Sequence, residues 1–340
     1  MSSLLEKTRD PGTAPAPWHA GERALHDRLG LADKMERIGR MNIRSFMPDQ
    51  HREFFAQLPF LILGSVDADG MPAASLLAGS PGFARSPDPQ RLDIAARPVA
   101  GDPLDAALRP GAPVGILGIE LPTRRRNRMN GRVIGRDSSG FSVAVDQSFG
   151  NCPQYIQRRD YLVPEKARAP RVDALGDLDG EARALITRAD TFFVASSAMA
   201  EGPRAGRGAD VSHRGGRPGF VGIESDGALI VPDFHGNRFF NTLGNLLVHP
   251  QAGLLFPDFA TGDLLQLEGA TEILFDGPLL RAFRGAELLW RLRPAKARWL
   301  RGVLPFRLVL GDASPQSLRT GTWREAQALL QGDRSSAIQG

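Results

Sequence analysis

Apolar residues in this chain fall mostly in short runs separated by turn residues. Phe60-Leu-Ile-Leu-Gly-Ser-Val66 reads as a buried strand, and Asp67-Ala-Asp-Gly70 after it has the composition of a hairpin turn. Residues 73–78 return as its partner, and 91–95 make a third strand. Runs at 114–121, 132–134 and 141–145 continue the set, with one short helical excursion at 103–108. Between His19 and Ile43 the spacing is helical instead, with Leu25, Leu29, Met35, Ile38 and Ile43 among charged neighbours. Pro48 or Asp49 opens a further short helix, and another starts near Gln154. In the second half, 182–187 predicts a short helix, and Thr191-Phe-Phe-Val-Ala-Ser-Ser197 opens a strand set as Phe60 did. Strand-like runs end at Val231, cover 252–256 and 263–268, and continue to Phe275. A helix is expected from about Pro278 to Leu292, then a charged tail containing a last strand at 306–310. Many short strands with few helices imply a mainly β (α+β) protein built as barrels or sandwiches of antiparallel strands.

The two halves share an order of landmarks. Ser75-Leu-Leu-Ala-Gly79-Ser-Pro81-Gly82-Phe83 aligns without a gap on Ser212-His-Arg-Gly-Gly216-Arg-Pro218-Gly219-Phe220. Leu92 and Leu229 follow each Phe at the same distance, and Gly131 and Gly269 close the two segments. Two copies of one supersecondary unit explain this better than unrelated segments sharing Pro-Gly turns. The copies differ in chemistry. Leu76 and Leu77 stand where the second copy has His213 and Arg214, and the first copy has nothing like Gly236-Asn237-Arg238. One anion site per chain is therefore expected, carried by the second half. There Ser212, Arg214, Asn237, Arg238, Asn241 and Thr242 sit at strand ends and at the start of a short helix, where exposed N–H groups favour an anion.

The chain has 340 residues, with 42% hydrophobic and 24% charged content, which is ordinary for a globular protein with room for two domains. The expected division is a disordered leader (1–18), a first half with N-terminal helices (19–160), a connector (161–180), a second half (181–325) and a disordered tail (326–340). A net charge of +4 does not suggest a nucleic-acid binder. The dense basic run Thr123-Arg-Arg-Arg-Asn-Arg128 reads as a solvated loop, with docking of a phosphate-bearing or acidic partner as the alternative. The single cysteine, Cys152, excludes an intramolecular disulfide, and the isolated His19, His26 and His51 read as surface or capping residues. No apolar run is long enough to span a bilayer and no signal peptide is evident, so a cytoplasmic location is expected. Hydrolase elbows, zinc-protease motifs and Walker loops are absent.

The runs Asp210-Val-Ser-His-Arg-Gly-Gly-Arg-Pro-Gly-Phe220, Pro232-Asp-Phe-His-Gly-Asn-Arg238 and Asn245-Leu-Leu-Val-His-Pro250 resemble the FMN-binding split barrels of the pyridoxamine 5′-phosphate oxidase-like superfamily. Ser148-Phe-Gly-Asn-Cys-Pro-Gln-Tyr-Ile156 resembles a segment of one of its subgroups. The resemblance implies two tandem split barrels with FMN held between barrels. It implies Arg214 and Thr242 on the phosphate, helped by Ser212, Asn241 and Arg238, with Asn237 lining the cleft. Gln266 would meet the flavin ring edge, and Asn151, Gln154 and Tyr155 would approach the ring from the first half. The substrate-binding arginine and histidine pattern of true pyridoxamine phosphate oxidases is missing. The expected activity is electron or hydride transfer from a nicotinamide (NAD(P)H) or protein donor to a small-molecule or protein acceptor. The alternative is a non-catalytic flavin or haem binder or sensor. Two barrels in one chain imply an internal pseudo-dimer, with a homodimer of chains also open.

Overall fold

The computed structural model describes residues 17–162, 168–198 and 208–338. Helices α1 (Ala20–Arg28), α2 (Ala32–Asn42) and α3 (Asp49–Gln57) lead into β1 (Phe60–Val66), β2 (Pro72–Ala78), β3 (Ala84–Arg85) and β4 (Arg91–Ile94). Then come α4 (Pro103–Ala107), β5 (Pro113–Glu120), β6 (Arg125–Arg136), β7 (Phe141–Gly150), β8 (Arg159–Leu162) and β9 (Arg171–Leu175). The second half holds α5 (Gly180–Arg188), β10 (Thr191–Ala198), β11 (Gly208–Gly215), β12 (Gly222–Ile223), β13 (Leu229–Phe234) and α6 (Asn241–Val248). It ends with β14 (Gln251–Asp258), β15 (Asp263–Leu274), α7 (Pro278–Ala282), β16 (Ala286–Arg301), β17 (Arg307–Leu310) and α8 (Trp323–Ile338).

Strand order makes the repeat explicit. The first sheet runs β2-β1-β5-β6-β7-β4-β3 and the second β11-β10-β14-β15-β16-β13-β12. Adding nine to each label of the first gives the second. Register agrees to the residue: Val114 faces Gly131 and Ala252 faces Gly269, each partner of the second pair lying 138 positions after its counterpart. Both glycines sit at a bulge, where a Cβ would stand 1.9 Å from the carbonyl oxygen of Ala144 or Arg293. No other residue fits such an approach without moving backbone. The fold is thus mainly β, two tandem split barrels of antiparallel strands.

The halves interlock reciprocally. β5 lies on β11 and β14 on β2. At the crossings a Cβ on Gly115 would meet the Ala209 carbonyl oxygen at 2.7 Å, and one on Gly253 the Pro72 carbonyl oxygen at 2.5 Å. Around these contacts Phe60, Ile62 and Leu117 of one half share a core with Phe193, Val211 and Leu255 of the other. All six are fully buried, each contributing roughly 1.5–3 kcal/mol of transfer free energy.

Several expectations need correction. Residues 286–301 are a long strand, not the end of a helix and a tail. Leu288, Leu289 and Leu292 mimic helical spacing locally, but β16 is hydrogen-bonded to β13, β15 and β9, and those partners override local propensity. The connector contains β9, which extends the second sheet, and begins within β8, which pairs with β17. No helix starts at Gln154; a turn there leads into β8. Of the leader, residues 1–16 lie outside the described residues, whereas Trp18 is buried against Met35, Phe149 and Phe239. Residues 323–338 form α8, whose Ala326 is fully buried, where composition suggested low order from 326 onward. Among the described residues no helix is long and apolar enough to cross a membrane.

Candidate functional site

A cleft enclosing about 850 Å³, solvent at its mouth included, opens where the second barrel meets the first. The second barrel supplies Ser212, His213 and Arg214 from β11, Asp233 and Phe234 from β13, the 236–240 loop, and Asn241 and Thr242 at the start of α6. The first supplies Arg126 and Arg128 from β6 and Asn151, Gln154 and Tyr155 from the turn after β7. Nine of the ten residues expected at the site therefore converge on one hollow.

Gln266 does not join them. It is buried on β15 and donates to the Ala74 carbonyl at 2.9 Å and to Ser75 Oγ at 3.1 Å. The duplication explains why. Gln266 is the counterpart of Arg128, and Ser75 of Ser212, so Gln266 belongs to the equivalent place in the other half. That place is closed. Asp102 caps α4 there, accepting from Leu104 N at 2.9 Å and from Ser75 Oγ at 2.6 Å, while Leu76 and Leu264 fill the surrounding space. In the open copy the residue aligned with Asp102 is Phe240, and it makes no side-chain cap.

The consequence is an uncapped N-terminus on α6, with no acidic residue in its first turn. Free N–H groups and the helix dipole make such an end attractive to an anion. Three of the four non-glycine residues with left-handed backbone among those described, Tyr155, Arg238 and Phe240, border this cleft. Backbone held in that region costs about 1–3 kcal/mol each and is sustained here by packing around the loop. His26 of α1 contributes by donating from Nε2 to the Arg238 carbonyl at 2.9 Å, so it is neither a surface nor a capping residue. His51 is likewise buried, bonded to Ser148 Oγ, and His19 caps α1 as expected.

Four guanidinium groups line the cleft, and their partners differ. Arg214 is paired with Asp233, and Arg238 with Glu287 at 2.6 Å. Arg128, 3% exposed, reaches Asp210 at 3.1 Å, Asn241 Oδ1 at 3.0 Å and Ser212 Oγ. Arg126 donates to the Cys152 carbonyl at 2.7 Å and lies 3.4 Å from His213 Nδ1, with no carboxylate partner among the described residues. Burial, then the neighbouring Arg128, pulls its pKa down to about 10, so it stays charged at neutral pH. Burial and the flanking Arg126, Arg159 and Arg214 hold His213 well below the usual imidazole range, hence neutral. Burial pushes the Asp233 carboxyl up, against the pull of Arg214.

Arg126 and Arg128 do not lie in a solvated loop, contrary to what the basic run suggests. Residues from Arg125 onward are strand β6, and Arg124 too is spent inside the molecule, donating to the Ile156 and Asp312 carbonyls. Aligning Gln266 with Arg128 across the repeat would have revealed the cleft position, because both lie three residues before the paired bulge glycines. Asp233 and Glu287 are cleft residues that the sequence did not single out, whereas His213 stood out only as the polar counterpart of Leu76.

Buried polar atoms usually find partners. Of the eighteen buried polar side-chain atoms without a hydrogen-bond partner among the described residues, six line this cleft: Arg128 Nε, Asn151 Oδ1, Gln154 Oε1, His213 Nε2, Arg214 Nε and Thr242 Oγ1. Tyr155 and Phe234, 5.4 Å apart between ring centroids, form an apolar wall beside them. The donor set, the uncapped helix and the aromatic wall fit a ligand with an anionic group and a flat ring system.

Fold and cleft together define the class, a tandem split-barrel protein with an open, arginine-lined cleft between its barrels. No family model and no curated protein matches the sequence. Solved structures similar to parts of it include HupZ from Group A Streptococcus, with 12% identity over 40% of this chain and 97% of that one, at a TM-score of 0.27. Another is a candidate pyridoxamine 5′-phosphate oxidase from Lactobacillus delbrueckii, with 16% identity, 31% and 95% coverage and a TM-score of 0.26. A third is HutZ, the haem storage protein of Vibrio cholerae, with 16% identity, 37% and 96% coverage and a TM-score of 0.27. They overlie between 31% and 40% of the chain; the split-barrel assignment here rests on strand order and register.

Proposed function

We propose that this chain binds one FMN in the inter-barrel cleft and works as an FMN-dependent oxidoreductase. The observation that carries this reading is the set of six unpartnered buried polar atoms beside an uncapped helix start. Arg128, Arg214, Ser212 and Thr242 would hold the phosphate with the first N–H groups of α6, and Asn241 orients Arg128. Arg is suited to this because its planar fork meets two phosphate oxygens at once. Tyr155 and Phe234 would flank the ring, and Asn151 and Gln154 offer acceptors for ring N–H groups. Arg238 stays engaged by Glu287 and shapes the loop rather than gripping the ligand. When bound, the flavin supplies hydride or electron transfer; the protein's part is to bind, orient and exclude water. NAD(P)H or a redox protein is the proposed donor, and the acceptor a small molecule or protein.

A second reading, a non-catalytic haem or flavin holder, has one observation in its favour: the neutral His213 with its free Nε2. Titrating purified protein with FMN, riboflavin and haemin separates the two. FMN bound one per chain, more tightly than riboflavin, and bleached by a nicotinamide donor supports the oxidoreductase. FMN bound but not bleached, or a shifted Soret band with no flavin quenching, supports the holder, and no response to flavin or haemin sinks both.

A further inference from the structure

The N-terminal arm reaches into the site. α1 crosses α6 so closely that a Cβ on Gly21 would stand 2.0 Å from the Gly244 carbonyl oxygen, and one on Gly244 would meet Glu22 Cγ at 2.6 Å. This crossing delivers Glu22, 3% exposed, to the start of α6. Its Oε1 accepts from Asn241 Nδ2 at 2.6 Å, and its Oε2 accepts from His19 N at 3.0 Å. The other end of the Asn241 amide, Oδ1, accepts from Arg128 Nη1 at 3.0 Å. Arg128 in turn donates to Ser212 Oγ. An unbroken chain of hydrogen bonds thus runs from the arm to the cleft: Glu22, Asn241, Arg128, Ser212. Without Glu22 the Asn241 amide is free to flip, and a flipped amide presents N–H groups to a guanidinium.

We propose that Glu22 is a positioning residue for the anion site, fixing the amide of Asn241 and through it the Arg128 guanidinium. This rests on the anion-site reading above. It also makes anion binding proton-coupled. The charged and titratable groups facing Glu22 are His19 of α1, Asp210 of β11 and Arg128 of β6, while α6 presents only the amides Asn241 and Asn245. Burial, then the charge of Asp210, pushes the Glu22 carboxyl up to about 8, and burial holds His19 below its usual value, hence neutral there. Arg128 already answers to Asp210. An arriving phosphate adds further negative charge on the same guanidinium, so the complex favours Glu22 in its protonated form. At pH above about 8 the ligand must therefore bring a proton from solvent with it, and affinity falls as pH rises.

The test is FMN affinity from pH 7.5 to 9.5, where a phosphomonoester with a second pKa of about 6 keeps a constant charge. Riboflavin, which shares the ring and lacks the phosphate, is the reference at each pH. Wild type is expected to lose FMN affinity relative to riboflavin, approaching about tenfold per pH unit at the alkaline end. Glu22→Gln keeps an acceptor for Asn241 and cannot ionise, so its FMN affinity is expected to match the pH 7.5 wild type and stay flat. Glu22→Ala is expected to bind FMN about tenfold more weakly at every pH, with riboflavin binding and thermal stability monitored to separate misfolding from lost positioning. A Gln variant that keeps the wild-type slope, or a folded Ala variant with wild-type FMN affinity, overturns the inference. If wild type binds no FMN, the flavin reading fails, and the same pH series with inorganic phosphate, read as a thermal shift, tests Glu22 alone. Binding of neither FMN nor phosphate overturns both.

Discussion

Replacing Arg128 by Gln gives the open cleft the residue that its closed counterpart carries as Gln266. Arg128 is buried and satisfies Asp210, Asn241 and Ser212 at once. Removing one partner of a buried ion pair costs about 3–5 kcal/mol, because the other charge is left uncompensated. Asn130 and Asn245 still donate to Asp210, at 2.5 and 3.0 Å, so the lower end, about 3 kcal/mol, is expected. Loss of a charged hydrogen bond to the phosphate costs about 1.5–3 kcal/mol, which is roughly a 10- to 100-fold weaker FMN complex. The closed copy has Ala73 where the open one has Asp210. Adding Asp210→Ala to Arg128→Gln therefore removes the orphan charge, and about 1–2 kcal/mol of stability should return while FMN affinity does not. Urea unfolding of the two single variants and the double, with flavin fluorescence titration of each, measures both terms. Simple additivity of the two stability losses, or wild-type FMN affinity in Arg128→Gln, would refute the account.

Other outcomes follow from the same contacts. Gln266→Leu, in the closed copy, should leave FMN affinity within about twofold and cost about 1–2 kcal/mol of stability by depriving Ser75 and the Ala74 carbonyl of a donor, as thermal melting would show. Gly253→Val drives two methyl groups into Pro72 and Ala73 backbone and should destabilise the folded chain by more than about 3 kcal/mol, read by calorimetry. Glu22 has a folded-state pKa near 8, raised from 4.5, so the native state holds its proton more tightly than the unfolded chain. Its contribution to stability is full below pH 4.5 and is lost as pH rises to 8; Glu22→Gln should flatten that decline in a series of denaturant midpoints. Phe240→Asp, restoring at α6 the residue type that caps α4, should weaken FMN more than riboflavin in paired titrations, since a carboxylate would then compete for the helix N–H groups.

Much of the architecture was legible in the residue pattern. The Pro-Gly-Phe landmarks and the paired Gly131 and Gly269 recur in both copies because Gly82 and Gly219 have left-handed backbone, Phe83 and Phe220 pack onto Gly79 and Gly216, and the paired glycines sit at bulges. The cleft was largely legible for the same reason, since Arg214, Asn241 and Thr242 stand at strand and helix ends. What failed depended on partners distant in sequence. The helix expected from Pro278 to Leu292 ends at Ala282, because the three-leucine cluster at 288–292 resembles one helical turn only until strands lie on both sides. Arg126 and Arg128 looked solvated because local sequence does not show that β6 faces the other barrel. Gln266 was assigned to the right kind of position in the wrong half. Within one copy nothing shows that the cleft, and the filled place equivalent to it, each take one wall from the other copy.

That borrowing has a consequence for how the molecule can change. In a dimer of identical barrels every substitution would strike both hollows together, so a residue good for one would be imposed on the other. Joined in one chain, the halves are free to divide the labour. In one the equivalent place is filled by Asp102, which sits against Ser75 and the helix start, while β6 and the turn after β7 of that half place two arginines and a tyrosine in its neighbour's cleft. Neither half is then a spare: cutting away the barrel with the filled place would remove one wall of the open cleft.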